Sequence, residues 1–185
     1  FCATGTMGFQ GHLSAGEIVE QLVRANRIEK ITNVVFMGMG EPLDNYESVI
    51  NAIRAMLDVK RFGLGAQQVC VSTVGVIPRM KQLLKDVPGI SLALSLHAPT
   101  QELRTQIVPS AKAYPLDKLM KAVDEHLVNN KVMIEYILLK NVNDRAEHAH
   151  ILGQLLQNKN VMVNLIPYNP TDVGEPYEAP VADDI

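Results

Sequence analysis

The sequence predicts an α/β fold in which helices cover a parallel sheet, and two observations carry that expectation. Apolar, β-branched runs alternate with stretches of helical periodicity along most of the chain. The runs are also too apolar for strands that keep one face in water. They fall at 33–37 (NVVFM), 69–73 (VCVST), 90–96 (ISLALSL), 132–139 (VMIEYILL) and 161–166 (VMVNLI), a spacing suited to βα units. Periodicity alone does not separate an open sheet from a closed barrel.

The helices follow in order. The first spans about 14–28, where Ser14 and Glu17 form a capping-box pair and Ile18, Leu22 and Val23 make a stripe. A second covers about 46–58 with Val49, Ile50, Ile53 and Leu57 on one face. A short third follows Pro78, since proline suits the first helical position. The fourth follows Pro115, with Leu116, Leu119, Met120, Val123 and Leu127 at helical spacing. The fifth begins at Asp144, with Glu147 three residues on, and runs to about 157. There is no internal repeat, low-complexity segment or interior linker. Residues 171–185 (TDVGEPYEAPVADDI) are rich in proline and acid, and are expected to be a poorly ordered tail or linker.

Composition narrows the classes. A chain of 185 residues suits one domain, which typically buries about 70% of its unfolded surface. Apolar residues make up 47%, but no run approaches the roughly 20 that span a bilayer, so no membrane partner is expected. The opening FCATGTMGFQ has neither a basic start nor an apolar stretch, and it lacks an initial Met. A fragment or a processed product is the expectation. A net charge of -3 argues against a surface coated in positive charge, so any nucleic-acid contact is local. Two cysteines, Cys2 and Cys70, make no disulfide framework and point to a reducing compartment: the cytoplasm, or an organelle in a eukaryote.

Ligands of parallel α/β folds sit at the C-terminal ends of the strands. The residues there are Gly38 to Pro42, Ser72 to Gly75, Ser95 to Pro99, Asn141 to Asp144, and Pro167 to Pro170. Each end carries small or hydrogen-bonding groups, which suggests one polar ligand lying across the rim. In VVFMGMGEPL (34–43) two glycines allow a close backbone approach, free carbonyls can accept from a cation, and Glu41 adds negative charge. That suits an ammonium group. A phosphate loop would offer N–H groups at a helix start, usually with a lysine nearby, and none is present.

These residues resemble a known family. Phe1-Cys2-Ala3-Thr4-Gly5, GMGEP at 38–42, STVG at 72–75, SLHA at 95–98 and IPYNP at 166–170 look like the radical S-adenosylmethionine enzymes, and specifically the RlmN/Cfr family that methylates C2 or C8 of adenosine in RNA. Within it the likeness is to the RlmN type, over residues 1 to about 170, and it rests on five motifs in the right order.

The resemblance implies a partial (β/α)6 barrel as the core, residues 1–170, here without its first strand and the start of its cluster loop. It implies a [4Fe–4S] cluster held by Cys-x3-Cys-x2-Cys. Cys2 matches the third of those cysteines, and the first two would lie upstream. It also implies S-adenosylmethionine on the open iron, cleaved by an electron from the cluster to a 5′-deoxyadenosyl radical. Gly40 and Glu41 match the motif that holds the methionine amino group. Ser72 matches a polar cofactor contact, Ser95, Leu96 and His97 its ribose-side contacts, and Asn169 a contact near the nucleoside end. The family's methyl-carrying and resolving cysteines lie outside this chain, so no catalytic residue is expected within it. The implied partners are 23S ribosomal RNA, transfer RNA or both, and an electron donor such as flavodoxin or ferredoxin.

Structural roles compete at each position. Glu41 could cap the helix near Asn45, His97 could be a hydrogen-bonded core histidine, and Asn169 could shape a turn before Pro170. Cys70, Met37 and Met39 read as packing residues. His148 and His150 lie two apart on a helix, so they share no face and make poor metal ligands. Glu135 and Tyr136 leave open which of them faces the barrel interior. Two other functions fit the same rim: a non-radical α/β-barrel enzyme, and a non-catalytic RNA- or nucleotide-binding remnant.

Overall fold

Five strands pair in the order in which the chain makes them, in a computed structural model that describes residues 2–170 and 177–181. They are β1 (Val34–Phe36), β2 (Val69–Thr73), β3 (Ser91–Ser95), β4 (Val132–Leu138) and β5 (Val161–Pro167), and every pairing is parallel. The order never reverses. A doubly wound sheet reverses part-way and puts helices on both faces, whereas right-handed crossovers stepping in one direction keep them all on one. The arrangement is therefore barrel-like, and the ambiguity left by periodicity is resolved. Among the described residues β1 and β5 remain open edges, so this is part of a barrel.

The helices are α1 (Ala3–Thr6), α2 (Ala15–Asn26), α3 (Tyr46–Leu57), α4 (Ile77–Asp86), α5 (Gln101–Ile107), α6 (Leu116–Leu127) and α7 (Ala146–Leu155). Strand register sorts the side chains. One face carries Val69, Val71, Leu92, Leu94, Val132, Ile134 and Tyr136, and these join Ile50 and Ile53 of α3, Leu83 of α4, Leu119 and Val123 of α6 and Leu152 of α7 in the main core. The opposite, concave face is different. Cys70, Ser72, Ser91, Ala93, Ser95, Glu135 and Asn164 alternate with the core residues there and, beside Val35, Met133, Ile137 and Met162, give a lining in which polar and small side chains mix with apolar ones. Glu135 is the interior-facing member of the Glu135–Tyr136 pair.

Several local expectations are corrected. The first helix starts at Ala15 with the expected Ser14–Glu17 box but stops at Asn26. Pro78 is the second helical residue, after Ile77. The fifth expected helix begins at Ala146, not Asp144; the N–H of Arg145 donates to His148 Nδ1 at its start. Helix α5 was not expected at all. Strand β5 is largely exposed, against the reading that every strand is too apolar to face water. Met37 and Met39 are exposed too, so they are not the packing residues that the sequence suggests. Cys70 is only part-buried, on the concave face and away from the core.

The tail at 171–185 falls partly outside the described residues: 171–176 and 182–185 are not described. Within it, Tyr177 and Glu178 are docked. The Tyr177 ring meets Tyr168 edge-on with centroids 6.2 Å apart, and the Lys140 N–H donates to the Glu178 carbonyl at 3.0 Å.

Candidate functional site

The C-terminal ends of β1 to β4 are tied together by a few buried polar groups. After β1, Gly38 (φ 83°) and Gly40 (φ 93°) take the left-handed backbone region that glycine tolerates, and a Cβ at either would meet nothing within 4 Å. The loop is thus open on the side a ligand would approach. Glu41 follows, half-buried. Its Oε2 accepts the Val74 N–H at 2.8 Å and its Oε1 the Leu43 N–H at 3.0 Å, so it caps the short 3₁₀ turn Pro42–Asn45 and joins the β1 loop to the β2 loop. Burial pushes its pKa above the ordinary carboxyl value, against the pull of the Val74 and Leu43 N–H groups and the Thr73 hydroxyl. A cation would relieve a carboxylate in that setting. The capping and cation-binding readings are therefore compatible, because two N–H donors leave acceptor capacity on a carboxylate.

The segment that carries Cys2 touches this loop. Cys2 occupies the position before α1 and is exposed, and the Thr4 hydroxyl of α1 contacts Met39 Sδ at 3.7 Å. Partial burial raises the thiol's pKa, but hydrogen bonds from the Gly5 and Thr4 backbone and the Thr4 hydroxyl outweigh it and leave the value lowered. An exposed thiol with a lowered pKa is suited to binding a metal as thiolate. Phe1 of the same motif lies outside the described residues. Among the described residues, no three His, Cys, Asp or Glu side chains group closely enough to hold a metal ion.

Ser72 is buried near the end of β2, and Ser95 is half-buried at the end of β3, both on the concave face. Leu96 is fully buried. His97 is buried and left-handed (φ 61°), an unusual conformation for a residue other than glycine. Its Nδ1 accepts the Ile137 N–H at 3.1 Å, which fixes any ring proton on Nε2. Burial, and then the Arg104 guanidinium, push its pKa down to about 3, so the ring is neutral. Asn169 is exposed beyond β5 and stands apart from this knot. His148, as noted, serves its own helix start.

Two buried residues hold the knot: Asn143, in the Asn141–Asp144 strand end that the sequence marked without giving it a role of its own, and Arg104, which sequence reasoning missed. Asn143, buried, donates from Nδ2 to the carbonyls of His97 (2.8 Å) and Ile137 (2.6 Å) and accepts the Leu139 N–H at 2.7 Å. Tyr136 donates its hydroxyl to the Asn143 carbonyl at 2.9 Å. Arg104, fully buried on α5, donates to the carbonyls of Leu96 (3.2 Å), Val74 (2.6 Å) and Ser95 (3.4 Å). Burial lowers its pKa to about 10. Arg104 thus fixes the loops after β2 and β3 relative to each other. The only advance signal for either was a polar residue within an otherwise apolar or loop segment.

Residues 1–152 match the profile of the radical SAM superfamily. The chain belongs to that superfamily. Radical SAM proteins use S-adenosylmethionine with an iron–sulfur cluster, and the chemistry of Cys2 and Glu41 fits such a pair. The chain is 47% identical over 184 residues to a protein of Alcanivorax borkumensis named dual-specificity RNA methyltransferase RlmN, covering 92% of this chain and 48% of that one. It is 43% identical over 188 residues to the probable RlmN of Enterococcus faecalis, covering 96% and 53%. Its backbone superposes on the crystal structure of a radical SAM methyltransferase from Sphaerobacter thermophilus with a TM-score of 0.93 at 38% identity, over 100% of this chain and 56% of that one. A domain of the pyruvate-formate lyase-activating enzyme from Bacteroides vulgatus shares the fold alone, with a TM-score of 0.58 at 16% identity, over 82% of this chain and 87% of that one. The resemblance read from the motifs is borne out, and so is the α/β, part-barrel class. The radical SAM chain spans about half the length of the curated relatives it matches.

Proposed function

We propose that this chain is the core of a radical S-adenosylmethionine RNA methyltransferase that methylates C2 of adenosine in 23S ribosomal RNA, transfer RNA or both. The observation that carries the reading is the juxtaposition at the β1 end. An open glycine loop and a desolvated Glu41 carboxyl lie beside the segment bearing Cys2, an exposed thiol of lowered pKa. Names of relatives at 43–47% identity support the methyltransferase activity and the RNA substrate.

In this reading Cys2 is one thiolate of a [4Fe–4S] cluster, and Gly40 and Glu41 hold the methionine amino group. Ser72 and the Ser95–His97 segment line the middle of the cofactor, and Asn169 its nucleoside end. When bound, cluster and cofactor supply the reductive cleavage and the methyl group. This chain's residues orient and enclose. Glu41 holds an ammonium group while its own position is fixed by Val74 and Leu43. Arg104 keeps the Ser72 and Ser95 loops in register. His97, neutral, presents backbone and ring without competing charge. The electron donor is a flavodoxin or ferredoxin and the setting is the cytoplasm, or an organelle in a eukaryote. No helix among the described residues is long and apolar enough to cross a membrane.

The test uses the full-length protein purified without oxygen. Incubated with unmodified ribosomal or transfer RNA, S-adenosylmethionine and reduced flavodoxin, it is expected to yield 2-methyladenosine in digested RNA by mass spectrometry. Cys2→Ala is expected to strip iron and sulfide from the protein and abolish the product. A cluster-loaded protein that leaves both RNAs unmethylated would overturn the proposal.

A further inference from the structure

Among the described residues Glu135 is the one acid on the concave face of the sheet, and the reading above gives it no role. It lies on β4 between Ser95 of β3 and Asn164 of β5, its register partners. It is 2% exposed. Its backbone carbonyl accepts the N–H groups of Leu96 (3.1 Å) and His97 (3.3 Å), so it is built into the same corner as the Ser95–His97 segment. Its two side-chain oxygens are not equivalent. Oε2 accepts the Asn164 Nδ2–H at 2.7 Å, whereas Oε1 is buried with no partner among the described residues. A buried carboxyl oxygen without a donor costs the protein stability, commonly about 1–3 kcal/mol, and is rare without a reason. Its neighbours on the face do not serve it: Ala93 and Met133 have no donor, the Cys70 thiol, whose pKa is pushed up to about 11 by burial and then by Glu135, is a weak one, and the hydroxyl of its register partner Ser95 makes no hydrogen bond to Oε1.

We propose that Glu135 Oε1 accepts a hydrogen bond from a ribose hydroxyl of the bound cofactor. This rests on the cofactor reading above, in which the ligand runs from the Glu41 loop at β1 towards Asn169 beyond β5. A ligand so laid has its middle over β3 and β4, and the middle of S-adenosylmethionine is the ribose. A hydroxyl there supplies the missing donor, and Asn164 aims the carboxyl by holding its other oxygen. The competing role is purely structural: Glu135 would exist to pin Asn164 and hence β5.

The experiment is calorimetric binding to the cluster-loaded full-length protein, with S-adenosylhomocysteine and its 2′-deoxy and 3′-deoxy analogues as probes. In the unaltered protein, removal of the hydroxyl that Glu135 holds is expected to weaken binding about tenfold or more. In Glu135→Met, which keeps length but has no oxygen, that ratio is expected to fall to about one. Glu135→Gln is expected to lie between, since the amide keeps one acceptor oxygen but replaces the other with an NH2 donor. If the Met protein does not fold, the drop in ratio for Gln alone decides. A hydroxyl-to-deoxy ratio that is the same in all proteins, even with lowered melting temperatures, overturns the proposal and leaves the cofactor reading intact. Failure of S-adenosylhomocysteine to bind the unaltered protein overturns both.

Discussion

At the scale of single residues, Glu41 is a half-buried carboxyl held by the backbone on both oxygens. Glu41→Gln turns one acceptor into a donor and strands a backbone N–H. The variant is therefore expected to lose about 1–3 kcal/mol of stability in urea titration whatever its function. Melting temperature alone does not separate capping from binding, so the affinity comparison must vary the ligand. S-adenosylmethionine is expected to bind Glu41→Gln about ten- to a hundredfold more weakly, while an analogue lacking the amino group is expected to be indifferent to the substitution. Equal losses for both ligands would refute the ammonium role. His97 gives a second, pH-based prediction. Its folded pKa of about 3 lies below the ordinary 6.5, so below pH 6.5 the unfolded chain takes up a proton that the folded chain refuses. Stability from this group is complete above pH 6.5 and falls by up to about 1.4 kcal/mol per pH unit down to about 3. His97→Gln is expected to flatten that slope between pH 4 and 6.5, and denaturation midpoints measured across the range check it. The motif residues were legible because they are unusual where they stand. The partners of His97 were not: Ile137 and Asn143 lie 40 and 46 residues away, and nothing local announces a contact at that separation.

At the scale of elements, apolar periodicity located every strand and the five longer helices, because each carries an apolar run or stripe, although β5 leaves most of its run exposed. It missed α5 because QELRTQI has only Leu103 and Ile107 at helical spacing, and its most buried side chain is an arginine. A capping signal was present nonetheless, since the Thr100 hydroxyl accepts the Leu103 N–H at 3.3 Å. What holds α5 is Arg104, whose fork satisfies three carbonyls on two loops. Arg104→Met keeps the volume but strands those acceptors. The expected cost is about 3 kcal/mol or more, read from the urea midpoint. As a positioning residue, Arg104 should also matter to affinity: S-adenosylhomocysteine binding is expected to weaken in the Met variant under conditions where it remains folded. An unchanged midpoint would show that Arg104 is not the tie between the β2 and β3 loops.

At the scale of the whole molecule, strand order turns a list of βα units into a curved sheet with one lined face, and no local pattern encodes that order. The open-or-closed question left by the sequence was answered only by the pairing β1-β2-β3-β4-β5 without a reversal. The same pairing leaves β5 with unpaired backbone groups, and its side chains Met162, Val163 and Leu165 are 67%, 38% and 47% exposed. A seven-residue edge strand with apolar side chains on both faces is a template for another chain. Proteins matched at 43–47% identity are about twice as long, which supplies chain that could cover such an edge. The 185-residue chain alone is accordingly expected to self-associate with rising concentration, and Val163→Lys to suppress this at a stability change within about 0.5 kcal/mol, the usual range for an exposed site. If the longer protein covers β5, the same substitution there is expected to cost more, about 1–3 kcal/mol, because burying a lysine without a partner is costly. Light scattering against concentration tests the first half, and paired urea titrations of short and full-length proteins test the second. Equal costs of Val163→Lys in the two lengths would mean that β5 remains an edge in the complete protein.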